Sequence, residues 1–203
     1  MSGELLGKEL IVELLEELGR RLDERGVHAD LYLVGGGAMA LAYNRQRITR
    51  DIDAVFEPKA VVYGEAKRMA DDLGLPAGWL NDGVQGFLPP RPDGGEQVQL
   101  SSPGISVSIA SAEYLFAMKG AAARIEEDTE DLRLLAGILG ITTADEALDL
   151  IERYYAKAQL TPKSQFMIQE LFDNLEIVVQ PPAGAHAPRG ARGSNQFKRK
   201  PRR

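Results

Sequence analysis

The stretch 31-LYLVGGGAMALAYNRQRITRDIDAVFEP-58 predicts a strand, a glycine turn, a helix and a second strand within 28 residues, and this order indicates the fold. Residues 31–34 form a short apolar run that predicts a strand, and three glycines at residues 35–37 end it. Residues 38–43 suit a short helix. Residues 51–56 alternate between apolar and polar side chains, which predicts a second strand.

Two carboxylates, Asp51 and Asp53, occupy positions i and i+2 of the second predicted strand. Such residues point to the same face and lie roughly 6.5–7 Å apart along the chain. Carboxylates held this close repel each other unless a cation lies between them, and hard cations such as Mg²⁺ take oxygen ligands. The pair is therefore a candidate site for Mg²⁺ or Mn²⁺. The alternative is that both carboxylates are simply solvated.

The glycines Gly35, Gly36 and Gly37 join a predicted strand to a predicted helix. A helix N-terminus presents backbone N–H groups to anions, and glycine lets a phosphate approach the backbone closely. A tight turn without a ligand is the alternative for the glycines alone. Because consecutive elements are usually neighbours in space, glycines and aspartates together predict a site for a nucleotide and its metal.

The order of these motifs resembles the nucleotidyltransferase superfamily related to DNA polymerase β, and within it the minimal bacterial enzymes of the AbiEii toxin type. Residues 33–56 resemble the first two motifs of that group, with Gly36 and Gly37 as the glycine motif and Asp51 and Asp53 as the metal ligands.

A second stretch, 111-SAEYLFAMKGAAARIEEDTEDLRLL-135, resembles a downstream motif of the same group. There one helix presents a lysine, here Lys119, and the next helix presents an aspartate, here Asp131. The likeness covers about residues 28–140. It implies an α/β (α+β) fold, with a small mixed sheet flanked by helices and a helical C-terminal section.

The resemblance also implies an activity: transfer of a nucleoside monophosphate from a nucleoside triphosphate to the hydroxyl of a tRNA 3′ end or of a protein. Asp51, Asp53, Lys119 and Asp131 would be the catalytic residues. Toxins of toxin–antitoxin or phage-defence systems belong to this group, so a cognate antitoxin is an expected partner.

Two departures from the superfamily pattern leave other functions open. Gly37 stands where many members have a serine, and the predicted strand 105–109 offers Ser106 and Ser108 where many members have a third carboxylate. Asp93 and Glu96 precede that strand on a predicted loop. A nucleotide-binding protein with weak catalysis, or an antitoxin-like partner, is therefore an alternative.

Two arginines and a threonine that precede the aspartate pair are candidate nucleotide contacts: Arg47, Thr49 and Arg50. Guanidinium groups bind phosphates well, whether of a triphosphate or of RNA; a solvated basic loop is the alternative. The alternative for Lys119 is that it reaches solvent along an apolar helix. The alternative for Asp131, as for Asp128, is that it complements a helix N-terminus.

The remaining sequence divides the chain into a nucleotidyltransferase domain at residues 1–140, a packed helical extension at 141–180 and a basic tail at 181–203. The tail holds seven Lys or Arg and no acid, so the first 180 residues carry a net charge of −13. Its composition predicts disorder. Its charge suits an RNA-binding arm, which leaves an RNA-binding module as a further alternative; a solubilising end is the other interpretation.

Composition narrows the cellular setting. Cysteine is absent, so disulfides and cysteine-ligated zinc are excluded, and a cytoplasmic location is expected. The N-terminus lacks a signal-peptide pattern, and no run approaches the roughly 18 apolar residues of a membrane span. Further helices are predicted at residues 3–26, 58–73, 111–124, 129–139, 143–158 and 162–175, with Ser111, Thr143 and Thr161 as N-caps. Further strands are predicted at 97–100 and 105–109, and a loop at 74–96. The loop stretch 79-WLND-82 is a candidate lining of the nucleotide pocket, whereas Trp79 and Leu80 are expected in the core.

Overall fold

The computed structural model describes residues 5–95 and 97–173. Within them one mixed sheet is formed by β1 (Ala29–Leu33), β2 (Ile52–Glu57), β3 (Leu80–Asn81), β4 (Gln97–Ser102) and β5 (Ile105–Ile109). The strand order is β3-β2-β1-β5-β4. The central strand β1 is antiparallel to β2 and parallel to β5. The predicted mixed α/β class is therefore confirmed.

Helices account for most of the remaining described residues. They are α1 (Lys8–Asp23), α2 (Gly35–Ala38), α3 (Lys59–Leu73), α4 (Ala112–Ala122), α5 (Ile125–Leu139), α6 (Ala144–Tyr154) and α7 (Pro162–Asp173). Helix α2 continues as a π-helical turn at Met39–Tyr43, and short 3-10 turns occur at Gly83–Phe87 and Lys157–Gln159.

One face of the sheet is covered by α1 and α3. Leucines recur at helical spacing along α1 and are buried there, as the amphipathic pattern predicts. Arg21 on α1 pairs with Asp72 on α3 at 2.6 Å, which joins the two helices at the surface. Trp79 and Leu80, predicted to be core residues, are buried, and the Trp79 indole N–H donates to the Ala66 carbonyl of α3.

Helix α4 is apolar on nearly all sides and lies at the centre of the C-terminal helices. Gly120 lets α6 and α7 approach, because a Cβ there would lie 2.5 Å from Ile151 and 3.5 Å from Ile168. Ser164 on α7 donates to the Ala121 carbonyl at 3.1 Å. Helices α6 and α7 thus pack directly on α4.

Predicted helix caps are observed, but several boundaries differ from the prediction. Ser111, Thr143 and Thr161 each accept a backbone N–H three residues on. The first helix begins at Lys8, because Leu6 pairs with Thr49 as an isolated bridge.

The segment predicted as a loop at 74–96 contains β3 and a 3-10 turn. The helix predicted from Thr129 begins at Ile125, so Asp128 lies in its first turn. Glu96 and the predicted tail at 181–203 lie outside the described residues. None of the helices in the described ranges is long and apolar enough to cross a membrane.

Candidate functional site

The aspartate pair lies where β2 begins. Asp51 immediately precedes the strand and Asp53 is its second residue. Ile52, Ala54 and Phe56 are buried while Asp53 is half-buried, so the alternation predicted for this segment is confirmed. Both carboxylates are therefore turned away from the apolar core, in the half-buried layer of the sheet.

The carboxylate of Asp53 is poorly stabilised as an anion. Burial raises the pKa of Asp53 above its usual range, and the negative charge of Asp51 raises the pKa further. A hydrogen bond from the Asn81 side chain lowers the pKa of Asp53, as do the positive charges of Arg124 and Lys119. A cation bound between the two carboxylates would relieve the same repulsion.

Gly35 brings the glycine turn against Asp53. Its φ of +62° lies in the left-handed region that glycine adopts readily, and a Cβ at this position would lie 2.8 Å from Asp53 Oδ2. The Val34 N–H donates to the Asp53 carbonyl at 3.0 Å, which fixes the two elements together. The helix begins at Gly35, three residues earlier than predicted.

Close packing against Thr49 explains why position 36 is a glycine. A Cβ at Gly36 would lie 2.6 Å from Thr49 Oγ1, so the threonine is seated directly on the glycine turn. The backbone of Thr49 is also paired with Leu6 in both directions. Thr49 is thus half-buried beside the turn, with its hydroxyl next to Gly36.

Lys119 lies in a buried ionic cluster with two aspartates. Its ammonium lies 2.6 Å from Asp128 and 2.9 Å from Asp131, and all three residues are at most 4% exposed. The proximity of Lys119 to Asp131, which the resemblance implies, is present. Two arginines extend this ionic cluster toward the surface. Arg47 pairs with Asp131 at 3.3 Å and Arg124 pairs with Asp128 at 3.1 Å.

Lys119 retains capacity to donate further hydrogen bonds. An ammonium group has three N–H donors; Lys119 donates one to Asp128 and forms an ion pair with Asp131. The two carboxylates also hold the lysine in place, because a buried ammonium that moved away from them would lack a compensating charge. The ionic cluster therefore holds a positive charge on α4 at the candidate site.

One cavity of about 560 Å³ joins these groups. Gly35, Asp53 and Lys119 line it, although they come from three separate parts of the sequence, and Arg124 lies at the same cavity. The rest of the lining is largely apolar and comes from the turn after β3, from α4 and from the α6–α7 connection: Val84, Phe87, Leu88, Leu115, Met118 and Tyr155.

Other candidate residues lie elsewhere or have other partners. Arg50 is exposed on the loop before β2, and Arg47 is bound to Asp131. Asp93 accepts hydrogen bonds from the Tyr32 hydroxyl and the Ser111 N–H, so it anchors its loop at the start of α4. Ser108 on β5 donates to the Leu31 carbonyl at 3.4 Å. In the described part of the chain, no three Asp, Glu or His side chains group as a metal site.

Sequence reasoning assigned no role to Arg124, which pairs with Asp128 at 3.1 Å. It named Asn81 as a residue of the pocket and Asp128 as a helix N-terminal acid, but it did not predict their contacts. Asn81 lies on β3 beside Asp53 and donates to Asp51 Oδ2 at 3.0 Å. Asp128 lies in the first turn of α5 and also pairs with Lys119. A two-residue strand carries too little pattern to predict the contact of Asn81.

Comparison of the chain with protein-family models, with curated proteins and with solved structures found no significant match to any of them.

Proposed function

We propose that the protein is a Mg²⁺-dependent nucleotidyltransferase with the nucleotidyltransferase fold. The observation that carries the proposal is the single cavity lined by Gly35, Asp53 and Lys119. Gly35 adjoins the glycine motif of the resemblance, Asp53 belongs to its metal motif, and Lys119 belongs to its downstream motif on a separate helix, α4.

The donor set at β2 suits the metal. Asp51 and Asp53 supply carboxylate oxygens only, and Mg²⁺ is commonly held by one or two carboxylates together with waters and substrate phosphates. The raised pKa of Asp53, caused by burial and by Asp51, is the electrostatic signature of a place where positive charge would be stabilising. Bound there, Mg²⁺ or Mn²⁺ would offset phosphate charge and lower the pKa of the acceptor hydroxyl.

The protein's own groups would bind the triphosphate. The first amides of a helix lack intrahelical acceptors, so those of Gly35 to Gly37 would be donors for phosphate oxygens, and Gly35 lines the cavity. Lys119 would direct a further N–H at the same anion, with Asp128 and Asp131 holding it in place. Arg124 is more than half exposed at the cavity and would add a second cation.

The reaction is the displacement that such an arrangement assists. The acceptor hydroxyl gives up its proton to solvent and its oxygen attacks the α-phosphorus. The bond from that phosphorus to the bridging oxygen breaks, and pyrophosphate leaves. Charge that develops on the leaving group would be stabilised by Lys119 and the glycine amides. A tRNA 3′ end or a protein hydroxyl is the acceptor, and a toxin role with a cognate antitoxin follows from the same resemblance.

Transfer of label tests the proposal. Each α-labelled nucleoside triphosphate would be incubated with the protein, Mg²⁺ and cell lysate. The products would then be treated with ribonuclease or with protease. We expect label on a macromolecule, removed by one treatment and not by the other, and lost in EDTA. A protein that transfers no label from any of the four would contradict the proposal.

Matched variants show whether the site is responsible. Asp51→Asn with Asp53→Asn keeps the side-chain shape and removes the charge, so transfer should cease. Asp30→Asn, a largely exposed aspartate on the neighbouring strand β1, is the control and should transfer normally. Equal activity in the double variant and the control would place the chemistry elsewhere.

A second candidate function is nucleotide binding without transfer. The specific observation is that the described residues offer no third metal-binding side chain beside the aspartate pair. Binding of a nucleoside triphosphate that depends on Asp51 and Asp53, with no labelled product, would favour this function.

A further inference from the structure

Phe87 is the most exposed of the large apolar side chains in the described part of the chain. Its residue is 74% exposed, above the 62% of Phe166 and the 50% of Leu73. Leaving an aromatic ring of this size in water forfeits a large burial free energy. A single exposed ring needs no explanation, but this one lies at the candidate site.

The ring belongs to the cavity that holds the candidate chemistry. Phe87 lines the same cavity as Asp53 and Lys119. Val84 and Leu88 from the same segment also line it, together with Leu115 and Met118 of α4. The cavity therefore offers an apolar surface beside a charged one.

The backbone of Phe87 is fixed although its ring is exposed. The Tyr155 hydroxyl donates to the Phe87 carbonyl at 2.8 Å, which ties the turn after β3 to the end of α6. At the start of the same turn, the Gly83 N–H donates to Asn81 Oδ1 at 3.0 Å. The turn that carries the ring is thus held at both ends.

We propose that Phe87 is the stacking surface for the base of the nucleoside triphosphate. This inference rests on the proposed function, in which the phosphates lie at Gly35 and Lys119. A nucleobase is flat and has a π-face whichever base it is, so an exposed aromatic ring beside a phosphate site matches its chemistry. A cavity of about 560 Å³ lies within the usual range of roughly 300–1,000 Å³ for small-molecule sites.

Stacking carries little base preference, so Phe87 contributes affinity common to all four bases. The inorganic triphosphate ion has the phosphates without the base. Its binding therefore reports on the phosphate contacts alone, whereas the binding of ATP and GTP reports on the phosphate and base contacts together.

The experiment measures dissociation constants by calorimetry with Mg²⁺ for ATP, GTP and inorganic triphosphate. Phe87→Ala should weaken both nucleotides roughly 5- to 150-fold, the range that stacking free energies imply. Binding of inorganic triphosphate should change less than twofold. Phe87→Trp should bind both nucleotides at least as well as the wild type.

Phe166→Ala is the matched control, since Phe166 is exposed on α7 and does not line the cavity. It should leave all three constants unchanged. Thermal unfolding of each variant checks that the fold is retained.

Three outcomes would overturn the inference, and they are distinguishable. If Phe87→Ala binds nucleotides as tightly as the wild type does, stacking on Phe87 is wrong while the proposed function stands. If the wild type binds inorganic triphosphate as tightly as ATP and GTP, the base has no subsite. If the wild type binds none of the three, the proposed function fails and the inference fails with it.

Discussion

The ammonium of Lys119 lies 2.9 Å from the carboxylate of Asp131, and neither residue is more than 4% exposed. Buried ions are costly to remove from water, so each depends on its partner. Because Asp128 and Arg47 complete the network, the charge at the cavity wall and the stability of the fold depend on the same side chains.

Replacement of Lys119 should destabilise the protein strongly. Lys119→Met leaves Asp128 and Asp131 buried without their shared cation. We expect the free energy of unfolding to fall by about 3–5 kcal/mol, measured by urea denaturation. Lys67→Met changes an exposed lysine on α3 and should stay within about 0.5 kcal/mol of the wild type. A loss at Lys119 no larger than at Lys67 would contradict the ionic role.

Replacement of Asp53 should have the opposite effect on stability. Burial and the charge of Asp51 raise the pKa of Asp53, so the folded state disfavours its anion at neutral pH. Asp53→Asn removes that charge, and we expect a higher Tm at pH 7 without added metal. Asp30→Asn, on an exposed position of β1, should leave the Tm nearly unchanged. A lower Tm in Asp53→Asn would show that the carboxylate is stabilised by partners instead.

Alanine substitutions at Gly35 and Gly140 distinguish the effect of backbone strain from the effect of disturbing the site. Both have left-handed φ values, of +62° and +68°. A Cβ at Gly140 would meet nothing within 4 Å, whereas one at Gly35 would lie 2.8 Å from Asp53 Oδ2.

Alanine at either position should cost about 1–2 kcal/mol of unfolding free energy through the backbone alone. Only Gly35→Ala should also weaken Mg²⁺-dependent ATP binding, because it displaces Asp53. Calorimetry and urea denaturation of both variants check this. Equal ATP affinity in the two variants would mean that Gly35 does not support the site.

Glu17 should contribute to the acid dependence of stability. Hydrogen bonds from Arg20 and then Arg21 lower the pKa of Glu17 from 4.5 to about 2. A carboxyl whose pKa is lowered by folding stabilises the fold above its unfolded pKa, and this stabilisation is lost as pH falls through the folded pKa. The relevant window is therefore about pH 4.5 to 2.

Glu17→Gln should be less stable than the wild type at pH 7, and the difference should shrink as the pH falls through that window. Urea denaturation at a series of pH values measures it. Glu16→Gln, at an exposed position of the same helix, is the control and should keep the wild-type pH dependence. A Glu17→Gln curve parallel to that of the wild type would contradict the assignment.

Local patterns were sufficient to predict much of the fold. The alternation of Ile52, Ala54 and Phe56 defined the buried face of β2, because side chains on a strand alternate whatever the strand packs against. Ser111 and Thr143 marked helix starts, since a cap bonds to the backbone three residues on. The closeness of Gly35 to Asp53 followed from their place on consecutive elements. The roles of these site residues in catalysis stay predictions.

The remaining features of the site depend on contacts between residues that are distant in the sequence. Asn81 reaches Asp51 through a two-residue strand, which is too short to leave a pattern in the sequence. The pairing of Lys119 with Asp128 depends on how α5 turns back against α4, and Phe87 meets the cavity because Tyr155 holds its backbone from a distance of 68 residues. Residue types and local patterns establish which chemical groups are present and, for Asp53 and Lys119, which elements carry them. Their meeting in one cavity was decided by long-range packing, which no local periodicity encodes.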